Sequence, residues 1–312
     1  MKYFLGLDIG GTKTACALAD EHMVLSRARA GSAKVLRVGK AEAAINLRAV
    51  LHAVSKESGV TLASVTASCI GTSGSAVAEV VGWLRKQMEI KVGGMLSILG
   101  DEEITLDAAF PGEAGVVVIA GTGSNVIGRS RSGSTTGAGG WGPALADEGS
   151  GNLLGLQALR AVFAAINAGE DPLLLYRVLD HLGLRTRDEL VAAANAPNFE
   201  FAQLMPVVVQ AAHDGDRVAQ ATLTRGGEEL AGLVLHVIGR LVAAEPGIEN
   251  GLRIAYTGSI LEHVPDVRNA MEHVLLRLYP QLQFVPGIVD PLNGALWHAR
   301  RLGLADGQPS AR

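Results

Sequence analysis

The first chemically informative segment is a short glycine-containing loop near the N-terminus. It comprises Asp8, Gly10, Gly11, Thr12 and Lys13. Paired glycines let the backbone come within hydrogen-bonding distance of phosphate oxygens, and a hydroxyl and an ammonium group add further contacts. A carboxylate beside such a loop suits Mg²⁺, which prefers oxygen ligands and keeps several waters. The pattern predicts a loop that binds nucleotide phosphates together with Mg²⁺ near Asp8.

A Walker P-loop is the first alternative for this segment, and the residue order argues against it. That motif places lysine before Ser or Thr and continues directly into a helix. Here Thr12 precedes Lys13, and Ala15–Ala19 has the apolar character of a strand. A plain hairpin turn, which also favours Asp and Gly, is the alternative without a function. The acid, the glycine pair, the threonine and the lysine together favour the phosphate-binding interpretation.

A second glycine-containing loop follows an apolar run, residues 115–120, that has the composition of a buried strand. The loop comprises Gly121, Thr122, Gly123, Ser124 and Asn125. Glycines after a strand also form ordinary turns, so this segment alone leaves both interpretations open. As a partner of the first loop it predicts a second phosphate cradle, and two such hairpins could hold one triphosphate from opposite sides.

Asp101 is the candidate general base. It follows the apolar run Met95–Leu99, and open α/β sheets bind their ligands at the carboxyl ends of strands. A carboxylate there can accept the proton of a substrate hydroxyl during phosphoryl transfer. The alternative, an aspartate that caps a helix, stays open. We interpret the neighbouring Glu102, Glu103 and Asp107 as a solvated first helical turn.

Gly140, Trp141 and Asp147 lie in a glycine-rich loop that precedes a long apolar helical pattern. A tryptophan between glycines could stack against a sugar ring, and a carboxylate can accept hydrogen bonds from sugar hydroxyls. The alternative is a capped helix start in which the tryptophan fills the core. Spacing alone leaves both interpretations open.

The elements that would position these groups alternate between strands and helices. The order strand, glycine turn, strand occurs twice, about 110 residues apart, which favours two related α/β halves. We expect an N-terminal lobe over residues 1–111 and a helix-rich C-terminal lobe over residues 112–293, divided at Pro111 and Gly112. A last helix, residues 294–304, is expected to pack back on the first lobe.

Composition excludes several classes of function. The net charge of −4 gives no basic footprint for nucleic acid. No uncharged apolar stretch reaches the length of about 18 residues that a membrane helix needs, and the apolar run at the N-terminus is too short for a signal peptide. The histidines and the two cysteines show no zinc-ligand spacing. We therefore expect a cytoplasmic protein that binds neither nucleic acid nor membranes.

In this order, the motifs resemble the N-acetylglucosamine kinase group of the BadF/BadG/BcrA/BcrD-type ATPases, a branch of the actin-like ATPase and sugar kinase superfamily. The resemblance rests on the two glycine loops, Asp101, the Gly-Gly-Trp-Gly segment at 139–142 and the Asp-Glu-Gly-Ser segment at 147–150. It covers residues 3–165, and Gly258 and Ser259 extend it into the C-terminal half as an adenosine loop.

The resemblance implies an α/β fold of two ribonuclease-H-like lobes with ATP and sugar in a central cleft. It implies a homodimer that transfers phosphate from ATP, with Mg²⁺, to the 6-hydroxyl of N-acetylglucosamine or a related amino sugar. Asp101 would activate that hydroxyl. The residues that would bind ATP are Asp8, Gly10, Gly11, Thr12, Lys13, Gly121, Thr122, Gly123, Gly258 and Ser259. Those that would bind the sugar are Lys34, Ser73, Gly74, Ser124, Asn125, Gly140, Trp141 and Asp147.

Lys34 is the one departure from the pattern, because such kinases often carry a substrate-binding asparagine there. A lysine could meet an acidic substituent, so N-acetylmuramate is an alternative acceptor, and glucosamine is another. An ATP-driven regulator without a sugar acceptor is an alternative of another class. The ROK sugar kinases carry a cysteine-rich zinc motif and the acyl-CoA dehydratase activators carry cluster cysteines. Cys16 and Cys69 fit neither motif.

Overall fold

The computed structural model describes residues 1–305 of the chain. Their strands, numbered in chain order, are β1 Tyr3–Ile9, β2 Lys13–Ala19, β3 Val24–Gly31, β4 Val65–Thr72, β5 Met95–Leu99, β6 Gly115–Ala120, β7 Ser124–Arg129, β8 Thr135–Gly139, β9 Arg253–Thr257 and β10 Gln283–Ile288. Their helices are α1 Val35–Ser58, α2 Ala78–Glu89, α3 Asp101–Ala109, α4 Gly151–Asn167, α5 Leu173–Leu182, α6 Arg187–Ala194, α7 Met205–His213, α8 Arg217–Ala244, α9 Ser259–His263, α10 Pro265–Leu278 and α11 Pro291–Ala305. None of these helices combines the length and the apolar character needed to span a membrane.

The chain divides into two compact units. The first comprises Met1–Glu113 and the C-terminal segment from Val289, and the second comprises Ala114–Ile288. Each unit has its own five-stranded sheet and its own hydrophobic core.

The sheet of the first unit has the strand order β3-β2-β1-β4-β5. β1 pairs antiparallel with β2 and parallel with β4, so one hairpin continues into a parallel region. Side chains alternate between the two faces of β1. Leu5, Leu7 and Ile9 pack in the core cluster that contains the buried residues of α1 and α2, whereas Phe4 packs with residues of α3 and α11. The same alternation places Asp8 on the face of β1 that α11 covers.

Helix α11 belongs to the first unit and crosses α3 very closely. A Cβ at Gly294 would lie 1.8 Å from the Ile104 carbonyl oxygen, so only glycine allows this approach. The crossing fixes the start of α11 relative to the start of α3, which brings Asp290, the residue before α11, and Asp101, the first residue of α3, to the same end of the pair.

The sheet of the second unit has the order β10-β9-β6-β7-β8. β6 pairs antiparallel with β7 and parallel with β9, as β1 does with β2 and β4. The two units therefore repeat one strand order, which confirms the predicted α/β fold of two related halves. The helices α4, α7, α8 and α10 supply most of the core of the second unit, and α8 is its longest helix.

Candidate active site

The first glycine loop is the turn of the β1–β2 hairpin. The Gly10 N–H donates a hydrogen bond to the Lys13 carbonyl at 3.0 Å. The chain continues directly into β2, so this is not a Walker P-loop, and the predicted strand is confirmed. Thr12 and Lys13 are exposed, which leaves a hydroxyl and an ammonium group accessible beside the glycine backbone. The hairpin has the donors and the charge that a phosphate group requires.

Asp8 is half-buried at the end of β1, next to this turn. Burial, followed by the charges of Asp101 and Asp290, raises the pKa of Asp8 to about 6, against a smaller opposing effect of Lys13. Three carboxylates that share one region repel one another, and a divalent cation held by their oxygens would relieve that repulsion. An all-oxygen donor set of this kind fits Mg²⁺.

Asp290 was missed by the sequence analysis. Its Oδ1 accepts the Leu292 N–H at 3.1 Å, and its Oδ2 forms an ion pair with Arg27. The only local signal is an aspartate followed by proline at the start of a helix, which is typical of a helix start. Its effect on Asp8 depends on the packing of α11 against β1, and no pattern within the sequence near either residue contains that information.

Asp101 is the first residue of α3 and lies two positions after the end of β5. Gly100 is the residue that precedes the helix, and the Asp101 carboxylate accepts the neighbouring Glu102 N–H at 3.2 Å. Burial raises the pKa of Asp101, while the Glu102 N–H and the charge of Lys34 oppose the rise. Asp101 is therefore a half-buried carboxylate of increased basicity with a lysine nearby.

The interpretation of Asp107 as a solvated residue was wrong. Asp107 is only 2% exposed, and its carboxylate accepts the Gly112 N–H at 2.9 Å. His298 Nε2 lies 2.9 Å from Asp107 Oδ2, which links α3 to α11. Helical periodicity places Asp107 on the face that α11 covers. The position of α11 depends on tertiary packing, so the local sequence could not show that Asp107 is buried.

Lys34 lies in a segment that is tied to the phosphate hairpin. The Ser32 hydroxyl donates to the Gly10 carbonyl at 2.8 Å, and the Ala33 N–H donates to Thr14 Oγ1 at 2.8 Å. Lys34 directly precedes α1 and is half-buried. These contacts place one substrate-binding candidate near both the hairpin and Asp101.

Ser73 and Gly74 lie in the turn that follows β4. The Gly74 N–H donates to Thr72 Oγ1 at 3.4 Å, and the Ser73 side chain is exposed. A Cβ at Gly100 would lie 3.8 Å from Ser75 Oγ, so this turn reaches the start of α3. The first unit therefore brings the turn, Lys34, Asp8 and Asp101 into one region.

The second glycine loop is the turn between β6 and β7. The Gly121 N–H donates to the Gly123 carbonyl at 2.8 Å, and the Gly151 N–H donates to the Gly121 carbonyl at 2.8 Å. Thr122 and Gly123 are exposed. The loop is thus held at the start of α4, with its tip accessible.

Asp147 is buried beside this loop. Its Oδ1 accepts the Ser124 N–H at 2.8 Å, whereas Asp147 Oδ2 and Ser124 Oγ are buried without a hydrogen-bond partner. Burial raises the pKa of Asp147, and the Ser124 N–H opposes the rise together with the nearby hydroxyls of Ser150 and Ser124. A buried carboxylate oxygen without a donor is costly. A ligand hydroxyl could supply that donor.

Asn125 and Gly140 lie against each other on β7 and just beyond β8. A Cβ at Gly140 would be 3.2 Å from Asn125 Cγ, so glycine leaves room for the amide. Trp141 is 71% exposed, which excludes the alternative of a tryptophan in the core. The helix start is capped by Ser150, whose Oγ accepts the Leu153 N–H at 3.1 Å. Asp147 is therefore not needed as the cap of α4.

Gly258 and Ser259 contact the second glycine loop. Gly258 has a φ of +101°, and a Cβ there would lie 2.2 Å from the Ala120 carbonyl oxygen. A Cβ at Gly121 would lie 3.7 Å from Ser259 Oγ. The loop after β9 and the loop after β6 therefore form one continuous surface of the second unit.

Comparisons with known proteins place the chain in one family. A model of the BadF/BadG/BcrA/BcrD ATPase family matches residues 5–297. An N-acetylmuramic acid/N-acetylglucosamine kinase of Clostridium acetobutylicum is 28% identical over 307 residues, covering 96% of this chain and 99% of the relative. An N-acetyl-D-glucosamine kinase of Dictyostelium discoideum is 29% identical, covering 94% and 96%.

One solved structure extends the similarity to the fold. It is the crystal structure of a candidate N-acetylglucosamine kinase from Chromobacterium violaceum. It is 27% identical in sequence, has a TM-score of 0.73, and covers 95% of this chain and 98% of its own. Sequence and fold therefore indicate the same group of proteins over nearly the whole chain.

Proposed function

The chain belongs to the BadF/BadG/BcrA/BcrD ATPase family, and on that basis we propose that it is an ATP-dependent kinase for the 6-hydroxyl of N-acetylglucosamine or a related amino sugar. One observation carries the sugar part of the proposal. Ser124 Oγ belongs to the second glycine loop and Asp147 Oδ2 lies beside it; both atoms are buried, and neither forms a hydrogen bond of normal geometry. A polyol ligand would satisfy both atoms. An ATP-driven regulator needs no such atoms.

Asp101 is the proposed general base. Its carboxylate would accept the proton of the 6-hydroxyl as the oxygen attacks the γ-phosphorus of ATP, giving a sugar 6-phosphate and ADP. Burial raises the pKa of Asp101, which makes the carboxylate a better proton acceptor. The charge of Lys34 opposes the rise and so favours the ionised form that a base requires.

The two glycine loops would bind the phosphates through backbone N–H groups, and Lys13 would add charge. Asp8, with Asp290 near it, would hold Mg²⁺ through their oxygens. Bound Mg²⁺ would neutralise charge on the phosphates. Positioning and electrostatics supply most of the rate enhancement in phosphoryl transfer, so rigid attachment of these groups matters.

A second acceptor, N-acetylmuramate, is favoured by Lys34. The lactyl carboxylate of N-acetylmuramate would pair with a cation. Lys34 lies in the segment that is hydrogen-bonded to the phosphate hairpin, and its charge lowers the pKa of Asp101. The relative from Clostridium acetobutylicum is named for both sugars. Lys34 would therefore allow the protein to phosphorylate the acidic sugar N-acetylmuramate as well as the neutral sugar N-acetylglucosamine.

A coupled assay of ADP release tests the proposal. Wild-type protein is offered N-acetylglucosamine, N-acetylmuramate, N-acetylmannosamine, glucosamine and glucose, and the phosphorylated position is read by phosphorus–proton NMR. Release of ADP that depends on an N-acetylated amino sugar, with phosphate on the 6-oxygen, is the expected result. Release that is independent of every sugar would show that the protein is not a sugar kinase.

Asp101→Asn tests the base in the same assay. We expect kcat to fall by about 10²- to 10⁴-fold, the usual contribution of a general base, while ATP binding is retained. Glu103→Gln, an exposed residue of the same helix, is the matched control and keeps normal turnover. Turnover of Asp101→Asn at the wild-type rate would assign the base to another residue.

A further inference from the structure

Arg37 lies directly against the backbone of the first glycine loop. A Cβ added at Gly11 would be 3.0 Å from Arg37 Nη1, which is closer than most real Cβ contacts. The guanidinium group therefore occupies the space beside the turn, where a side chain at Gly11 would otherwise point. The sequence analysis did not select this arginine, because only folding brings α1 to the hairpin.

Short contacts hold the turn that carries Arg37. The Ser32 hydroxyl donates to Gly10, and the Arg37 N–H donates to the Lys34 carbonyl at 2.8 Å. Gly39, with a φ of +79° and a ψ of 163°, then interrupts the helical conformation of α1. The turn over 35–38 is thus separated from the long part of α1 and is positioned by the hairpin instead.

The same turn reaches towards the proposed base. Lys34 directly precedes α1, and Arg37 lies in the first turn of that helix, where its N–H donates to the Lys34 carbonyl. Lys34 acts electrostatically on Asp101, and Arg37 contacts the hairpin at Gly11. In phosphoryl transfer, the group that lies between the base and the phosphate loop is the one being transferred.

We propose that Arg37 binds the terminal phosphate group of the nucleotide and stabilises it during transfer. This rests on the proposed function for the transfer step alone. A planar guanidinium donates two parallel hydrogen bonds to phosphate oxygens, which Lys13, as a compact ammonium group, cannot do. Charge spreads over the phosphoryl oxygens in the transition state, and an arginine supplied by the enzyme's own chain is a known way to balance it.

Equilibrium binding of nucleotide without sugar tests this assignment. Isothermal titration compares ADP with the β,γ-imido analogue of ATP, each with Mg²⁺, on wild-type protein and on Arg37→Gln and Arg37→Lys. We expect Arg37→Gln to weaken binding of the ATP analogue by about 10- to 100-fold, the loss of a hydrogen bond to a charged group, and to leave ADP binding unchanged. Arg37→Lys should recover part of that loss.

Arg48→Gln is the matched control, because Arg48 is an exposed arginine further along α1. It should bind both nucleotides as the wild type does. Equal weakening of ADP and the ATP analogue by Arg37→Gln, or no weakening of either, would overturn the assignment. Since this titration contains no sugar, a failure of the sugar kinase proposal would appear separately, as ADP release that no sugar stimulates while the nucleotide difference persists.

Discussion

Asp8→Asn should stabilise the protein while abolishing its activity. In the folded protein, burial and the charges of Asp101 and Asp290 raise the pKa of Asp8 to about 6 from its ordinary value of 3.8. The folded state therefore holds a proton more tightly than the unfolded state, and stability falls as the pH rises from about 4 through 6. Above that pH range, Asp8 is ionised in both states, and its raised pKa lowers the free energy of unfolding by the full amount. A neutral asparagine of the same shape avoids it.

The size of this destabilisation follows from the pKa shift of Asp8. A difference of about two pKa units corresponds to about 3 kcal/mol in the free energy of unfolding, as an upper value. At pH 8, the free energy of unfolding of Asp8→Asn should exceed that of the wild type by most of this amount. At pH 5, where the wild-type carboxyl is largely protonated in the folded state, the difference should be about half as large. For a protein of this size the gain corresponds to a rise in Tm of at most about 5 °C.

Thermal and urea unfolding at pH 5 and pH 8, with and without Mg²⁺, measure these quantities. Mg²⁺ should stabilise the wild type at pH 8, because the cation offsets the repulsion among the carboxylates, and it should stabilise Asp8→Asn less. Glu42→Gln, an exposed residue of α1, is the control and should change little at either pH. An Asp8→Asn protein that is no more stable than the wild type at pH 8, or whose gain is larger at pH 5, would refute the reasoning.

Three further predictions concern the remaining parts of the site. Asp147→Asn replaces the buried Asp147 Oδ2 acceptor with an amide donor. The KM for the sugar should therefore rise by about 10- to 100-fold while the KM for ATP stays constant. An unchanged sugar KM in steady-state kinetics would contradict this. Lys34→Met removes the charge that lowers the pKa of Asp101, so the acid limb of the kcat profile should move to higher pH, and kcat/KM for N-acetylmuramate should fall relative to N-acetylglucosamine. If the pH profile of kcat and the ratio of kcat/KM for the two sugars both match the wild type, Lys34 has no such role. Gly258→Ala places a Cβ 2.2 Å from the Ala120 carbonyl at a φ of +101°, and urea unfolding should show a loss of more than about 2 kcal/mol; wild-type stability would show that the loop relaxes freely.

Local patterns were sufficient for the elements that carry the loops. Residues 3–9 and 13–19 form the strands of a hairpin because short apolar runs on either side of a glycine turn favour that structure wherever it occurs. Asp101 was found in the same way, since it follows an apolar strand within its own segment. The repeated strand order of the two units was also visible as a repeated motif. These features depend on residues that are close together in the chain.

The sequence by itself therefore determined the two glycine hairpins, the α/β fold and the acid after β5. Only the tertiary structure decided what surrounds them. It placed Asp290 near Asp8, His298 against Asp107 and Arg37 against Gly11. The pKa of a carboxylate depends on burial and on charges within a few ångströms, and both are set by packing between elements that are far apart in the chain. Asp8 was recognisable from its neighbours in sequence, but its energetic state was not.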